Sequence, residues 1–190
     1  MRRDHPKIAS LGRLYIQVGG GALGAGLVQG FAEDGLAPSL ECVEPDGKSV
    51  LNRAFERMKS MGLSDAEAAA KTRGKFMWPW DEPHSIAHGI LDDETYDWVA
   101  LCDGMFKTGG GTHVVDDGTI VEAKGVAEGW GVPVCHTGAA GLAGLMQMQR
   151  RGGSTPASDE PPSLVILSGL DRTMSNEGAQ AVRKSVSGSS

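Results

Sequence analysis

Residues 14–24 read LYIQVGGGALG, and no other stretch constrains the fold as tightly. A strand-like run feeds straight into glycines, after which Leu23, Leu27 and Phe31 recur at helical spacing until Gly35 offers a stop. A second strand-like run, SLECVE at 39–44, is ended by Pro45-Asp46-Gly47. Strand, turn, helix, strand is a parallel β-α-β unit. The first amides of a helix have no intrahelical partner and carry partial positive charge, so an anion satisfies several at once. Glycines remove the side chains that hold such an anion at a distance. The turn is built to grip a phosphate, and the remaining question is whose.

The rest of the chain continues the alternation. Val50, Leu51, Ala54, Phe55 and Met58 share one helical face, and Ser64-Asp65-Ala66-Glu67 has the form of a capping box opening a short helix that runs to about Gly74. Residues 75–88, with Trp78-Pro79-Trp80 and Pro83, predict irregular structure. Trp98, Val99, Cys102, Met105 and Phe106 mark another helix, broken by glycines at 109–111. A short strand at 113–115 precedes a helix with Asp117 as its cap and Ile120, Ala123, Ala127 and Trp130 on its buried face. Residues 132–135 lead into a small-residue helix carrying Leu142, Leu145 and Met146, then a polar loop at 152–162 and a last strand at 164–167. This order predicts an α/β fold in three layers, a mostly parallel sheet with helices on both faces. The domain reading is one partial α/β domain over residues 1–172 and a partly disordered tail over 173–190, frayed beyond Ser185.

Bulk properties exclude several classes. A net charge of −6 and the isolated pairs Arg2-Arg3 and Arg150-Arg151 tell against a nucleic-acid binder. Three cysteines, an odd count with no C-x-x-C, read as reduced, buried thiols. No apolar run approaches the ~20 residues of a membrane span, and Arg2-Arg3-Asp4-His5-Pro6 leads into no signal-peptide core. The expectation is a soluble, cytoplasmic protein with no membrane and no nucleic-acid partner.

Two cofactor classes fit the turn. Gly19, Gly21 and Gly24 read G-x-G-x-x-G, and Glu44 closes the next strand where a ribose-binding acid belongs, so a small Rossmann-type dinucleotide-binding domain is one alternative. Against it, Pro45 follows Glu44 at once and nothing downstream resembles a hydride-transfer site.

Four ordered segments favour the other class. IQVGGGALGAG followed by LECVEPDG resembles the phosphate loop and the following strand of the fold-type II pyridoxal phosphate enzymes, the family of tryptophan synthase β, threonine synthase, the serine/threonine dehydratases and diaminopropionate ammonia-lyase. SIAHGI at 85–90 is similar to the segment beside the cofactor ring. HTGAAGLAG at 136–144 resembles the small-residue helix whose leading Ser, Thr or Cys faces the pyridine nitrogen. VILSG at 165–169, with Asp171-Arg172, resembles the closing strand. The resemblance covers residues 10–172 and implies a C-terminal portion of such an enzyme. It implies pyridoxal 5'-phosphate held by backbone amides of Gly19, Gly20, Gly21, Ala22 and Leu23, with Gly89 against the ring and Thr137 at the ring nitrogen. It further implies a lyase or ammonia-lyase acting on an amino-acid substrate by β-elimination or replacement, and a homodimer when complete.

The departures matter as much. The family's Schiff-base lysine lies in an amino-terminal S-x-K segment, which this sequence lacks. Lys48, Lys59, Lys71, Lys75, Lys107 and Lys124 fall on predicted helices or exposed turns and read as solvated surface lysines. No catalytic residue is therefore assigned. The expectation is a truncated frame or a chain working beside a separately encoded amino-terminal half, inactive alone and with an exposed apolar surface where that half belongs. His88 stands where the family commonly has Asp. His84 and His88, four apart, make a weak metal pattern that Pro83 disturbs, and Cys135 and His136, adjacent on an extended run, point to opposite faces and make no dyad.

Overall fold

The computed structural model describes residues 6–152 and 161–171; the expectations for Arg172, the 173–190 tail and most of the polar loop fall outside them. Four parallel strands form the sheet: β1 (Arg13–Gln17), β2 (Ser39–Pro45), β3 (Gly111–Val115) and β4 (Ser163–Val165), in the order β3-β2-β1-β4. The register pairs Ile16 with Cys42, Val43 with His113 and Tyr15 with Val165. The helices are α1 (Ala22–Glu33), α2 (Val50–Ser60), α3 (Ala66–Ala70), α4 (Trp98–Thr108), α5 (Asp117–Gly129) and α6 (His136–Gly152). The structure is the three-layer α/β arrangement expected from the sequence.

Side-chain alternation assigns the layers. Leu14, Ile16 and Val18 of the first strand run and Leu40 and Cys42 of β2 face α1, α2, α3 and α4, together with Phe31, Phe55, Met58, Trp98 and Leu101. Tyr15 and Val43 face the other way, into a cluster of small residues from α5 and α6: Ala123, Ala127, Ala139, Ala140 and Ala143. Here the helix backbone itself approaches the sheet. A Cβ at Gly144 would lie 2.4 Å from Val43, and one at Gly138 2.2 Å from the carbonyl oxygen of Ser168.

Several local expectations shift. Asp65, not Ser64, caps α3 by accepting from the Ala68 amide, and α3 ends at Ala70 in a turn and a 3-10 segment rather than running to Gly74. Asp116, not Asp117, caps α5 through the Thr119 amide, which frees Asp117 to bind the Ser85 hydroxyl and the Ile86 amide. Trp130 is 64% exposed because it sits past the last turn of α5, off the buried stripe. Within residues 132–135, Val134 makes a single antiparallel bridge to Leu170. Cys42 and Cys102 are buried, while Cys135 is only half-buried.

Candidate functional site

From β1 the chain crosses to β2 and β3 on one side, then returns to lay β4 on the other. The sheet order therefore reverses between β1 and β4, and their carboxyl ends leave a crevice between diverging connections, the place where open α/β sheets take their ligands. A cavity of about 270 Å³ lies there, lined by Gln17, residues 19–24, Gly89, Ile90, Thr137 and Ser168. The sequence-predicted residues Gly19, Gly20, Gly21, Ala22, Leu23, Gly89 and Thr137 thus line one cavity, although more than a hundred positions separate the first from the last.

The turn at its floor is fixed peptide by peptide. The Gly19 carbonyl accepts from the Thr95 hydroxyl at 2.9 Å, the Gly20 carbonyl from the Asp97 amide at 3.0 Å, and the Gly21 carbonyl from the Ala25 amide at 3.0 Å. The peptide bonds are trans, so each N–H points opposite its carbonyl. Three carbonyls pinned into the protein turn the amides of Gly20, Gly21 and Ala22 outward, and none of these has an acceptor among the described residues. Gly21 sits at φ 101°, a left-handed conformation that only glycine adopts without strain. Gly19 is packed so closely that a Cβ would lie 2.9 Å from the Ile90 Cα. The α1 dipole adds its positive end at the same spot. One charge opposes it: the Asp92 carboxylate lies beside Gly19.

The facing wall is built from the start of α6 and the segment that follows β4. The Thr137 hydroxyl accepts from the Gly89 amide at 3.0 Å, which ties the 88–90 turn to the start of α6. The Cys135 amide bonds the Gly169 carbonyl and the Asp171 amide the Pro133 carbonyl, which presents Ser168 at the rim. Gln17 Nε2 donates to the Ser168 hydroxyl, while Gln17 Oε1 is buried with no partner among the described residues. Ser168 and Gln17 were not singled out in the sequence as lining residues. The LYIQV alternation could have found Gln17, a polar residue at the inward end of a buried strand. His88 is exposed and does not line the cavity.

Behind the turn lies a second correction. Lys48 is fully buried, not a surface lysine. Its Nζ is 3.0 Å from Glu44 Oε1 and 3.4 Å from Thr95 Oγ1. The same Glu44 carboxylate accepts from the amides of Leu51 and Asn52 at the start of α2, at 3.1 and 2.8 Å. Burial pushes the Glu44 carboxyl up from its ordinary range, against the pull of Lys48 and the two amides. Glu44 is 0% exposed, so it has no oxygen to offer a ribose hydroxyl. The Pro45-Asp46-Gly47 turn folds the lysine back onto the strand it follows, and a Cβ at Gly47 would lie 1.9 Å from the His84 carbonyl.

Comparison with solved structures places this geometry in a known fold. A threonine deaminase from T.th. matches with a TM-score of 0.64 at 21% identity, over 87% of this chain and 52% of that one. A fungal L-serine ammonia-lyase from Rhizomucor miehei gives 0.59 at 19% identity, over 96% and 51%. A pyridoxal 5'-phosphate-dependent aspartate racemase gives 0.59 at 17%, over 93% and 47%. The TM-scores establish the shared fold, and the chain spans about half the length of each of these proteins. No protein-family model and no curated protein matches the sequence.

Proposed function

We propose that this chain is the phosphate-gripping portion of a pyridoxal 5'-phosphate-dependent enzyme of the fold-type II family, acting on an amino acid by β-elimination or replacement. The observation that carries this is the row of pinned peptides whose amides at Gly20, Gly21 and Ala22 face the crevice at the sheet's reversal point. Such a row fits a phosphate monoester at the positive end of α1. Gly19 and Leu23 complete the cup. Gly89, bare of a side chain and held by Thr137, offers flat backbone to a ring. Two hydroxyls line the same cavity for the ring nitrogen. The sequence resemblance points to Thr137; Thr137 accepts from the Gly89 amide and Ser168 from Gln17 Nε2, so each hydroxyl keeps its proton to donate to that nitrogen. A hydroxyl partner leaves that nitrogen uncharged.

Bound pyridoxal phosphate supplies the electron sink that lets bonds at an amino acid's Cα break. The chain's own part is to bind the phosphate, orient the ring and exclude water from its underside. Among the described residues the cavity lining holds no lysine. We place the lysine that anchors the aldehyde outside the described residues. We expect the complete enzyme to be a homodimer.

The test is a melting titration with pyridoxine 5'-phosphate, which keeps the phosphate and ring but lacks the aldehyde that labels surface lysines. Binding to the native state alone stabilises by about 2.7 kcal/mol at a hundred times Kd. The expected result is a rise in Tm with pyridoxine 5'-phosphate and a much smaller one with pyridoxine at equal concentration. A flat response, or a rise with NADH alone, overturns the proposal.

A further inference from the structure

We infer that Lys48 is a positioning residue for the phosphate cup, acting through Thr95; this rests on the phosphate-binding reading above. The chain of contacts is short. Thr95 has one hydroxyl proton, and it is spent on the Gly19 carbonyl at 2.9 Å. Its oxygen must therefore accept from the Lys48 ammonium, 3.4 Å away. Lys48 is held in turn by Glu44 at 3.0 Å, and Glu44 by the first amides of α2. All three side chains are 0% exposed, so their contacts do not compete with bulk water.

The buried cation has a directional effect. An ammonium donating to the Thr95 oxygen polarises that hydroxyl and strengthens its bond to the Gly19 carbonyl. The carbonyl is drawn inward, and the Gly20 amide on the same rigid peptide is turned outward to the cavity. Lys48 touches no ligand and sets the aim of an amide that does. Burying a lysine and a glutamate together is costly and is often no more stabilising than an apolar pair. The register it imposes on the turn is what the arrangement gains.

The experiment measures how strongly the full chain prefers pyridoxine 5'-phosphate over pyridoxine, as a ratio of Kd values, in four variants. Thr95→Val removes the hydroxyl at nearly constant shape and Thr95→Ser keeps it. Lys48→Met removes the charge. Met58→Ala destabilises the same layer without touching the turn. Thr95→Val and Lys48→Met should each lower the preference by about tenfold, while Thr95→Ser stays within about twofold of wild type and Met58→Ala leaves the ratio unchanged. In the ligand-free chain the Gly20 amide resonance should move in Thr95→Val and return towards its wild-type position in Thr95→Ser. Should Lys48→Met fail to fold, Lys48→Met combined with Glu44→Gln, which leaves no unpaired buried charge, takes its place with the same expected loss, and wild-type preference in whichever of the two folds overturns the role of Lys48. Wild-type preference persisting in Thr95→Val overturns this inference and leaves the phosphate-binding reading standing. Absence of preference in the wild-type chain overturns the phosphate-binding reading first, and this one with it.

Discussion

The two faces of the sheet are packed by opposite means. Against α1–α4 lie the large side chains Trp98, Phe31, Phe55, Phe76, Met58 and Met105. Against α5 and α6 lie alanines and glycines, and helix backbone rests almost directly on the strands. The first arrangement fills space with side chains, which can adjust. The second removes side chains so that α6 can bring Thr137 to Gly89 and Gly138 to the carbonyl of Ser168. One face supplies stability and holds the glycine turn from behind, and the other sets the distance across the cavity.

Because of that contrast, the two faces fail differently. Trp98, 2% exposed and stacked on Phe76 at 6.2 Å, is the severest test of the first. Trp98→Ala should cost about 3–5 kcal/mol by urea denaturation, since its neighbours cannot collapse into the void. On the other face, enlargement is the harmful change. Gly138→Ala places a methyl 2.2 Å from backbone and should cost about 1–3 kcal/mol. Gly144→Ala meets only the Val43 side chain, at 2.4 Å, and should cost less. Equal penalties for the two glycine variants would break the claim that α6 sits at a fixed distance from the sheet edge.

The first face was far more legible in the sequence than the second. Val50, Leu51, Ala54, Phe55 and Met58 repeat at helical spacing, and all are buried as that spacing predicts. The glycine turn is equally plain, because it falls between a strand run and a helical repeat, where the structure places it. What the sequence concealed was long-range placement. Gly89 and Thr137 meet across 48 positions, and no local pattern reports that they are partners. Ser168 reaches the cavity only because 133–135 pair with 169–171. Lys48 was misassigned for a related reason. A lysine after a Pro-Asp-Gly turn is ordinarily solvated, and only the inward aim of Glu44, set by the strand's alternation, draws it into the interior.

A third test uses two carboxylates on β2, one facing each way. Burial opposes the ionisation of Glu41, but His113, Ser39 and Arg13 outweigh it and hold its carboxyl below the usual range. Glu44, facing the other layer, is pushed up by burial. A lowered pKa contributes stability that is present above about pH 4.5 and lost as pH falls through the folded value. The raised Glu44 has the opposite sign: its contribution is complete below that pH and fades as pH climbs through its folded pKa. Urea midpoints should therefore fall from pH 5 towards pH 3 in the wild type, and fall less steeply in Glu41→Gln. A slope unchanged by that substitution removes Glu41 from the acid response.

The mildest probe leaves stability untouched and asks how closed each face is. Cys42 and Cys102 point into the large-residue layer. Burial pushes the Cys102 thiol up to about 12 and Cys42 well above its ordinary value, so neither forms thiolate at neutral pH. Cys135 stands at the entrance to α6, half-buried, with its sulfur 2.8 Å from where a Cβ on Gly169 would lie. A thiol reagent at pH 7.5 should modify one cysteine in the native chain and three in urea, and peptide mapping should find the native label on Cys135. Because that residue flanks the pairing that presents Ser168, its labelling should slow when pyridoxine 5'-phosphate is bound. Protection of Cys135 with the other two unreactive throughout would tie ligand occupancy to the small-residue face. Equal labelling of all three would mean that the large-residue layer opens as readily as the site it supports.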